Sequence, residues 1–362
     1  MLVHCVVGAR PNFMKMAPVV RALSERGVPV LLVHTGQHYD EAMSQVFFDE
    51  LGMPRPDVSL EVGSDSHARQ TARIMVAYER VCLDHPPALV MVAGDVNSTL
   101  AAALAAAKLD LPVGHVEAGL RSFDRGMPEE LNRVVTDHLA ELLFTTEASA
   151  NLNLQREGIP GERVHFAGNC MVDTLLAHLD AALARAPWER LDLAPGGYAV
   201  VTLHRPSNVD EPAALAALAG SLEALGARVP VVFPVHPRTR ERLREQGIAL
   251  APTVRLTEPL PYLEFLGLMA QARVVLTDSG GIQEETTVLG VPCLTVRANT
   301  ERPVTITQGT NRLIGGDRAS LLAALAEIEA GRWPRGERPP RWDGHAAERI
   351  AETVFGFLGG RT

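Results

Sequence analysis

Short apolar runs that alternate with helix-length amphipathic stretches set the tightest limit on how this chain can fold. LVHCVVG (2–8) precedes a helical pattern in MKMAPVVRALSERG (14–27). PVLLVHTG (29–36) precedes an amphipathic stretch near 39–51 and a longer helical one near 66–84. ALVMVAGD (88–95) leads into STLAAALAAAKLD (98–110), and PVGHVEAG (112–119) and ELLFTTEA (141–148) continue the rhythm. Runs apolar at consecutive positions suit strands buried on both faces, and their alternation with helices predicts βαβ units and a parallel sheet.

The pattern then restarts. YAVVTLH (198–204), an alanine-rich helix over 211–228, PVVFPVH (230–236), RVVLTDSGG (273–281) and VPCLTVR (291–297) form a second series. The segment 168–197 between them reads as a hinge with a connecting helix, and 333–344 as a loop rich in Pro, Gly and Arg. The last helix, 345–358, carries an apolar face at Ile350, Val354, Phe357 and Leu358. A chain of 362 residues exceeds one ordinary core. The reading is an α/β protein with two doubly wound domains facing across a cleft, where ligands bind beyond the carboxyl ends of the strands.

Composition removes several alternatives. A hydrophobic share of 46% with 21% charged residues is that of a globular protein. No apolar run is long enough to span a bilayer, and the N-terminus does not read as a signal peptide. The four cysteines are scattered and form no CxxC pair, and the histidines show no metal-ligand spacing. We therefore expect no metal, no disulfide framework and a cytoplasmic location. A net charge of −9 argues against nucleic acid or an anionic membrane as partner.

Polar clusters stand after nearly every strand-like run. TDSGGIQEE (277–285) is the sharpest: two glycines follow a strand, and a helix starts with free N–H groups that can take a diphosphate at Ser279 and Gly280. The alternative for Asp278 or Ser279 is a helix N-cap. GxGxxG and the P-loop are both absent, which disfavours an NAD enzyme or a P-loop kinase. Arg10 and Lys15 flank the first strand–helix turn and can hold phosphate oxygens. His204 and Arg205 end the first strand of the second half, and His236 follows another. PVGHVEAGLRSFDRGMPEELNR (112–133) packs acids and arginines beside a glycine turn, and Glu129 and Arg133 share a helix face at i,i+4. Asp95 either caps the helix after its strand, in competition with Asn97, or does chemistry.

GARPNFMKMAP, TGQH, GDVNST, HVEAGLRS, MPEELNR, LHRPSN, PVHP, TDSGGIQEE and TERP, in this order, resemble the non-hydrolysing UDP-N-acetylglucosamine 2-epimerases over about residues 5–315. The resemblance implies a GT-B fold of two Rossmann-like domains with an interdomain cleft: 1–170 carrying acid/base residues, 171–344 binding UDP, and a helix at 345–362 packing back on the first domain. It implies reversible conversion of UDP-GlcNAc to UDP-ManNAc, by elimination of UDP to 2-acetamidoglucal and re-addition to the opposite face. It also implies a homodimer that needs no NAD or metal and serves surface polysaccharide synthesis.

By the same resemblance Asp95, Glu117 and Glu129 are the acid/base groups, with the direction of each unassigned, and His204 with Arg10 stabilises the departing diphosphate. Ser279, Gly280 and Gly281 bind phosphate, Glu285 the ribose and Phe265 lies near uracil, while Arg133, Arg205, Arg302 and Lys15 support sugar or phosphate. Gln37, Arg69, Gln70, Arg205 and His236 are candidates for an allosteric UDP-GlcNAc site, and Asp40 stands where regulated members have Gln, so weakened activation is expected. The chain departs from the family at Pro206 and Ser207, beside His204, and in a shorter 121–128 loop. A related branch acts on UDP-2,3-diacetamido-2,3-dideoxyglucuronic acid. A hydrolysing epimerase, a GT-B glycosyltransferase and a nucleotide-sugar sensor are the other readings to test.

Overall fold

The structure, a computed structural model, describes residues 1–36 and 50–360. The chain forms two compact units, one of Met1–Ala177 with Pro340–Thr362 and one of His178–Pro339. The helix Cys170–Ala184 begins in the first unit and ends in the second. Among the described residues no helix is long and apolar enough to cross a membrane.

The first unit is built on a seven-stranded sheet. Its strands are β1 (Val3–Val7), β2 (Val30–His34), β3 (Val58–Ser59), β4 (Leu89–Ala93), β5 (Val113–Ala118), β6 (Leu142–Thr145) and β7 (Val164–Phe166). Every pairing is parallel, in the order β3-β2-β1-β4-β5-β6-β7. β1, β4 and β5 are buried at every position, as strands covered on both faces require. Val6, Val90, Val92, Ala102, Leu143 and Tyr78 belong to one core cluster between the sheet and the helices His67–Asp84 and Asn97–Lys108. The Pro/Gly/Arg-rich segment ends in a fully buried Trp342, whose Nε1–H donates to the Thr146 carbonyl at 2.8 Å. The helix Ala346–Gly359 then lies against the helix Arg10–Glu25.

The second unit repeats the plan with six strands: β8 (Ala199–Thr202), β9 (Val231–Pro234), β10 (Val254–Thr257), β11 (Val274–Thr277), β12 (Cys293–Thr295) and β13 (Asn311–Leu313). They run parallel in the order β10-β9-β8-β11-β12-β13 around a core that includes Val201, Phe233, Leu276 and Leu294. Both orders are those of a doubly wound sheet. Each has a switch point, between β1 and β4 and between β8 and β11, where neighbouring connections leave to opposite sides and a crevice opens at the carboxyl ends. The clusters at 8–15, 94–95, 204–205 and 278–281 fall at these two points, that at 115–121 ends β5 beside the first, and His236 follows β9.

Candidate active site

In the first unit the ends of β1, β4 and β5 gather the candidate acids and cations. β5 has a register shift between Val116 and Ala118, and the residue at the shift, Glu117, has φ +72°. A bulge of this kind turns one side chain out of the strand alternation. Glu117 uses it to place Oε1 2.7 Å from Lys15 Nζ, both groups nearly fully buried. Gly94, at φ +66°, passes so close that a Cβ on it would stand 2.9 Å from Lys15 Nζ. Only glycine suits that position, because both the backbone and the space demand it.

Asp95 follows directly. It does not cap the next helix, whose N-cap is Val96. Its Oδ2 instead meets Arg133 Nη2 at 2.5 Å. Arg133 also donates to Glu130 Oε2 at 2.7 Å, so its ion pair within the helix Pro128–Leu139 is made at i,i+3 with Glu130. Glu129 is half-buried, and its carboxylate has no ion pair or hydrogen bond among the described residues. The i,i+4 pairing of Glu129 with Arg133 expected from spacing is therefore corrected: both acids satisfy the spacing, and the buried one makes the contact.

A second buried cluster holds these ends in place. His115 Nδ1 lies 2.6 Å from Asp137 Oδ1 and its Nε2 lies 2.8 Å from the Gly94 carbonyl. Asp137 Oδ2 accepts from Arg121 at 2.7 Å and from the Gly119 N–H at 3.0 Å. Burial by itself pushes the Asp137 carboxyl up, and the charges of His115 and Arg121 outweigh this and hold it below the usual range. Arg121 is balanced in turn by a bidentate bond to Glu157. Asn12 fixes the remaining strand end, accepting from the Gly8 and Ala9 N–H groups and donating to the Ala93 carbonyl.

In the second unit Asp278 ends β11 fully buried. It accepts from the backbone N–H groups of His204 and Arg205, from Asn208 Nδ2 and from His204 Nδ1 at 3.0 Å. Burial raises its carboxyl, and these donors, His204 first, bring it below the ordinary value. Asp278 thus joins the ends of β8 and β11 and leaves the helix Gly280–Leu289 without a side-chain cap, since Ser279 supplies none. Gly280 packs onto Arg302: a Cβ there would stand 2.6 Å from Nη1. Arg302 is buried, in contact with Glu301 and 2.8 Å from Glu284, so its charge is already opposed. One turn on, Glu285 is buried with its Oε1 3.2 Å from the Tyr262 hydroxyl. Burial, reinforced by neighbouring Glu284 and opposed by the Tyr262 hydroxyl, pushes its carboxyl up to about 8.

The arrangement is paired acids and a buried lysine at one switch point, and an uncapped helix N-terminus with flanking cations at the other. Comparison with known proteins gives the family of the chain. The model of the family "UDP-N-acetylglucosamine 2-epimerase" matches residues 21–354. The chain belongs to the UDP-N-acetylglucosamine 2-epimerase family. It is 41% identical over 360 residues to the UDP-N-acetylglucosamine 2-epimerase of Methanococcus maripaludis, covering 97% of each. It is 38% identical over 356 residues to the UDP-2,3-diacetamido-2,3-dideoxy-D-glucuronate 2-epimerase of Pseudomonas aeruginosa, covering 97% of this chain and 99% of that one. The crystal structure of the Methanocaldococcus jannaschii UDP-GlcNAc 2-epimerase in complex with UDP-GlcNAc and UDP superposes with a TM-score of 0.92 at 39% identity, over 98% of this chain and 100% of that one. Family membership makes the chain an isomerase with a GT-B fold.

Of the residues expected in an epimerase site, the first unit brings together Lys15, Asp95, Glu117 and Arg133, with Glu129 on the same helix as Arg133. The second brings together His204 and Arg205 beside Ser279, Gly280 and Gly281, with Arg302 beneath the glycines and Phe265 and Glu285 on neighbouring helices. Arg10 is the first residue of its helix, and its side chain is outside what the structure describes. Gln37 and Asp40 lie outside the described residues, as does most of the stretch expected to be helical near 39–51. Of the other proposed allosteric residues, Arg69 and His236 are exposed. Gln70 is buried, its amide donating to Gly63 and accepting from Asn97. Glu130, Asp137 and Asp278 were not among the expected site residues; each accepts from backbone amides outside its own element, a relation no local spacing signals, although the i,i+3 pair of Glu130 with Arg133 was open to view.

Proposed function

We propose that this chain interconverts UDP-N-acetylglucosamine and UDP-N-acetylmannosamine at C2. The observation that carries the reading is the buried Lys15–Glu117 pair on the bulge of β5, next to the Asp95–Arg133 pair, in a chain of this family. The C2 proton is not acidic, so the route is elimination. A carboxylate among Asp95, Glu117 and Glu129 takes the C2 proton, the C1–O bond breaks with its electrons leaving on UDP, and a C1=C2 double bond forms. Re-addition of UDP at C1 and protonation of C2 on the opposite face completes the change. Lys15 holds the Glu117 carboxylate in place, and Arg133 orients Asp95.

UDP belongs to the second unit. The N–H groups at Gly280 and Gly281 and the hydroxyl of Ser279, whose own N–H is taken by Thr277 Oγ1, suit a diphosphate with the help of the helix dipole, with His204, Arg205 and Arg10 opposing the charge it gains on leaving. Glu285 suits the ribose hydroxyls and Phe265 the uracil, while Arg302 supports the glycine turn from below. Gln37, Arg69, Gln70 and His236 remain the candidates for an activating second nucleotide sugar. We read the protein as a cytoplasmic homodimer, with the exposed Val76 and Leu83 of the helix His67–Asp84 as candidate contacts, which sedimentation of their Ser variants tests.

The deciding experiment is proton NMR with UDP-GlcNAc in D₂O. The expected result is UDP-ManNAc with deuterium at C2. Free N-acetylmannosamine and UDP would mean hydrolysis instead, and no change would refute this substrate. The likeness to the Pseudomonas enzyme, together with Pro206 and Ser207 beside His204, favours one second reading, the diacetamido uronic acid sugar nucleotide. The same assay with that substrate separates the two.

A further inference from the structure

Between Glu117 and the helix Pro128–Leu139 lies a turn whose cost has no structural return. Phe123 has φ +58°, a left-handed backbone that a bulky side chain rarely adopts, and its ring is 74% exposed. Neither the conformation nor the exposure favours folding, since a buried ring or a glycine would serve stability better. Yet the turn is fastened. The Phe123 N–H donates to Glu130 Oε1 at 2.8 Å, and Ser122 donates to Glu130 Oε2 through both its N–H and its hydroxyl. The Asp124 N–H donates to Ser122 Oγ and the Gly126 N–H to Asp124 Oδ1. Glu130 is buried, and the same carboxylate grips Arg133, which grips Asp95. A chain of bonds thus ties the backbone that carries an uncovered aromatic ring to the acids.

We infer that Phe123 is a specificity-determining contact, presented on this fastened turn to the acetamido methyl of the sugar nucleotide. The inference rests on the proposed reaction at C2. The acids act at that carbon, the acetamido group is attached to it, and its methyl is the apolar group nearest the reacting bond. A phenyl ring carried on a backbone that is tied to Asp95 through Glu130 and Arg133 is the surface that such a methyl would bury. Glu130 is on this account a positioning residue, and its neighbour Glu129 keeps the acid/base role.

The test is calorimetric titration of the wild-type chain, Phe123→Gly and Phe123→Ala with UDP, UDP-glucose and UDP-GlcNAc. The last two ligands differ at C2 by hydroxyl against acetamido. Both variants should bind UDP and UDP-glucose as the wild type does and bind UDP-GlcNAc about tenfold more weakly, the scale of one small apolar contact. Because the ring buries little and glycine adopts positive φ freely, Phe123→Gly should melt no lower than Phe123→Ala, which checks that folding is not the cause. Unchanged affinity for UDP-GlcNAc in the variants overturns the inference, as does a parallel loss for all three ligands. Turnover in D₂O is read on the same wild-type preparation. Its absence refutes the reaction, whereas normal turnover with undiminished binding by the variants refutes Phe123 alone.

Discussion

Glu117 is a non-glycine residue at φ +72° inside a strand, a conformation that costs on the order of 1–3 kcal/mol and persists only where the surroundings enforce it. Here the bulge and Lys15 do so. Glu117→Gln keeps the shape and removes the proton-accepting group, so C2 deuterium exchange should fall by ~10²–10⁴-fold while circular dichroism stays that of the wild type. Equal exchange rates in the two proteins would remove Glu117 from the acid/base set. Glu285 gives a prediction with a pH sign. Fully buried and near Glu284, it keeps its proton up to about 8 in the folded chain, whereas the unfolded chain releases it near 4.5. The folded state holds the extra proton across that window, so this residue's contribution to stability falls as pH rises through it and levels off above. Glu285→Gln should gain on the wild type in urea unfolding as pH rises from below 4.5 to above 8, by a few kcal/mol at most. If ribose hydroxyls donate to Glu285, the bound state favours the carboxylate, and UDP binding near neutral pH should release a proton, readable in buffers of different ionisation enthalpy. At this scale the sequence was informative about which residue types gather and silent about adjacent choices. Glu129 at i,i+4 and Glu130 at i,i+3 are both spaced for a pair with Arg133, and only burial against the Ser122–Phe123 backbone decides between them.

Strand ends, rather than strands, carry the site, and their fixing is a matter of elements. Asp137, on the helix Pro128–Leu139, joins β5 through His115 and Gly119, and His115 reaches the Gly94 carbonyl at the end of β4. Asp137→Asn leaves Arg121 with one partner fewer and sets an amide donor among donors, so we expect a loss of about 3–5 kcal/mol in urea unfolding. Asp95 and Glu117 flank the joined strand ends, so turnover should fall more than the affinity for UDP. The helix Gly280–Leu289 gives the counterpart in the second unit. Gly280→Ala forces Arg302 or Glu301 aside, since its Cβ would lie 2.6 Å and 2.9 Å from their end atoms. UDP affinity should drop by at least about tenfold with the Glu117-dependent chemistry untouched at saturating substrate. The central strands were legible as unbroken apolar runs. β3, β7, β10 and β13 were not, and all four are sheet edges. An edge strand is covered less and need not be apolar throughout: VHF in β7, NRL in β13 and the half-exposed VRLT of β10 carry too little hydrophobic pattern to stand out.

At the scale of the molecule, the chain crosses from the first unit to the second within one helix and returns at Pro340. The return was partly legible, because the apolar face of the last helix needs a surface to cover. The anchor was hidden in a segment that reads as a surface loop. Trp342 is fully buried with its indole N–H bonded to Thr146, and Asp173 accepts from the Ala346 and Ala347 N–H groups to cap the helix that follows. Capping by a residue so far upstream in the sequence leaves no local signature, so composition alone points the wrong way. Burial raises the Asp173 carboxyl and the two amides oppose that, which makes the cap part of what closes the first unit. Trp342→Ala should therefore cost about 3–5 kcal/mol, a large share of an ordinary domain's stability. The loss should be local. Amide hydrogen exchange should quicken across β1, β4, β5 and the helix Ala346–Gly359, while β8, β11 and β12 exchange as in the wild type, because the second unit's core of Val201, Phe233 and Leu276 has no part in the Trp342 site. On the proposed assignment of UDP to the second unit, UDP should still bind the variant even where turnover is lost. Exchange that quickens equally in both sheets would instead make the two units one cooperative body, and would place the tail's role in the whole chain rather than in the first unit it completes.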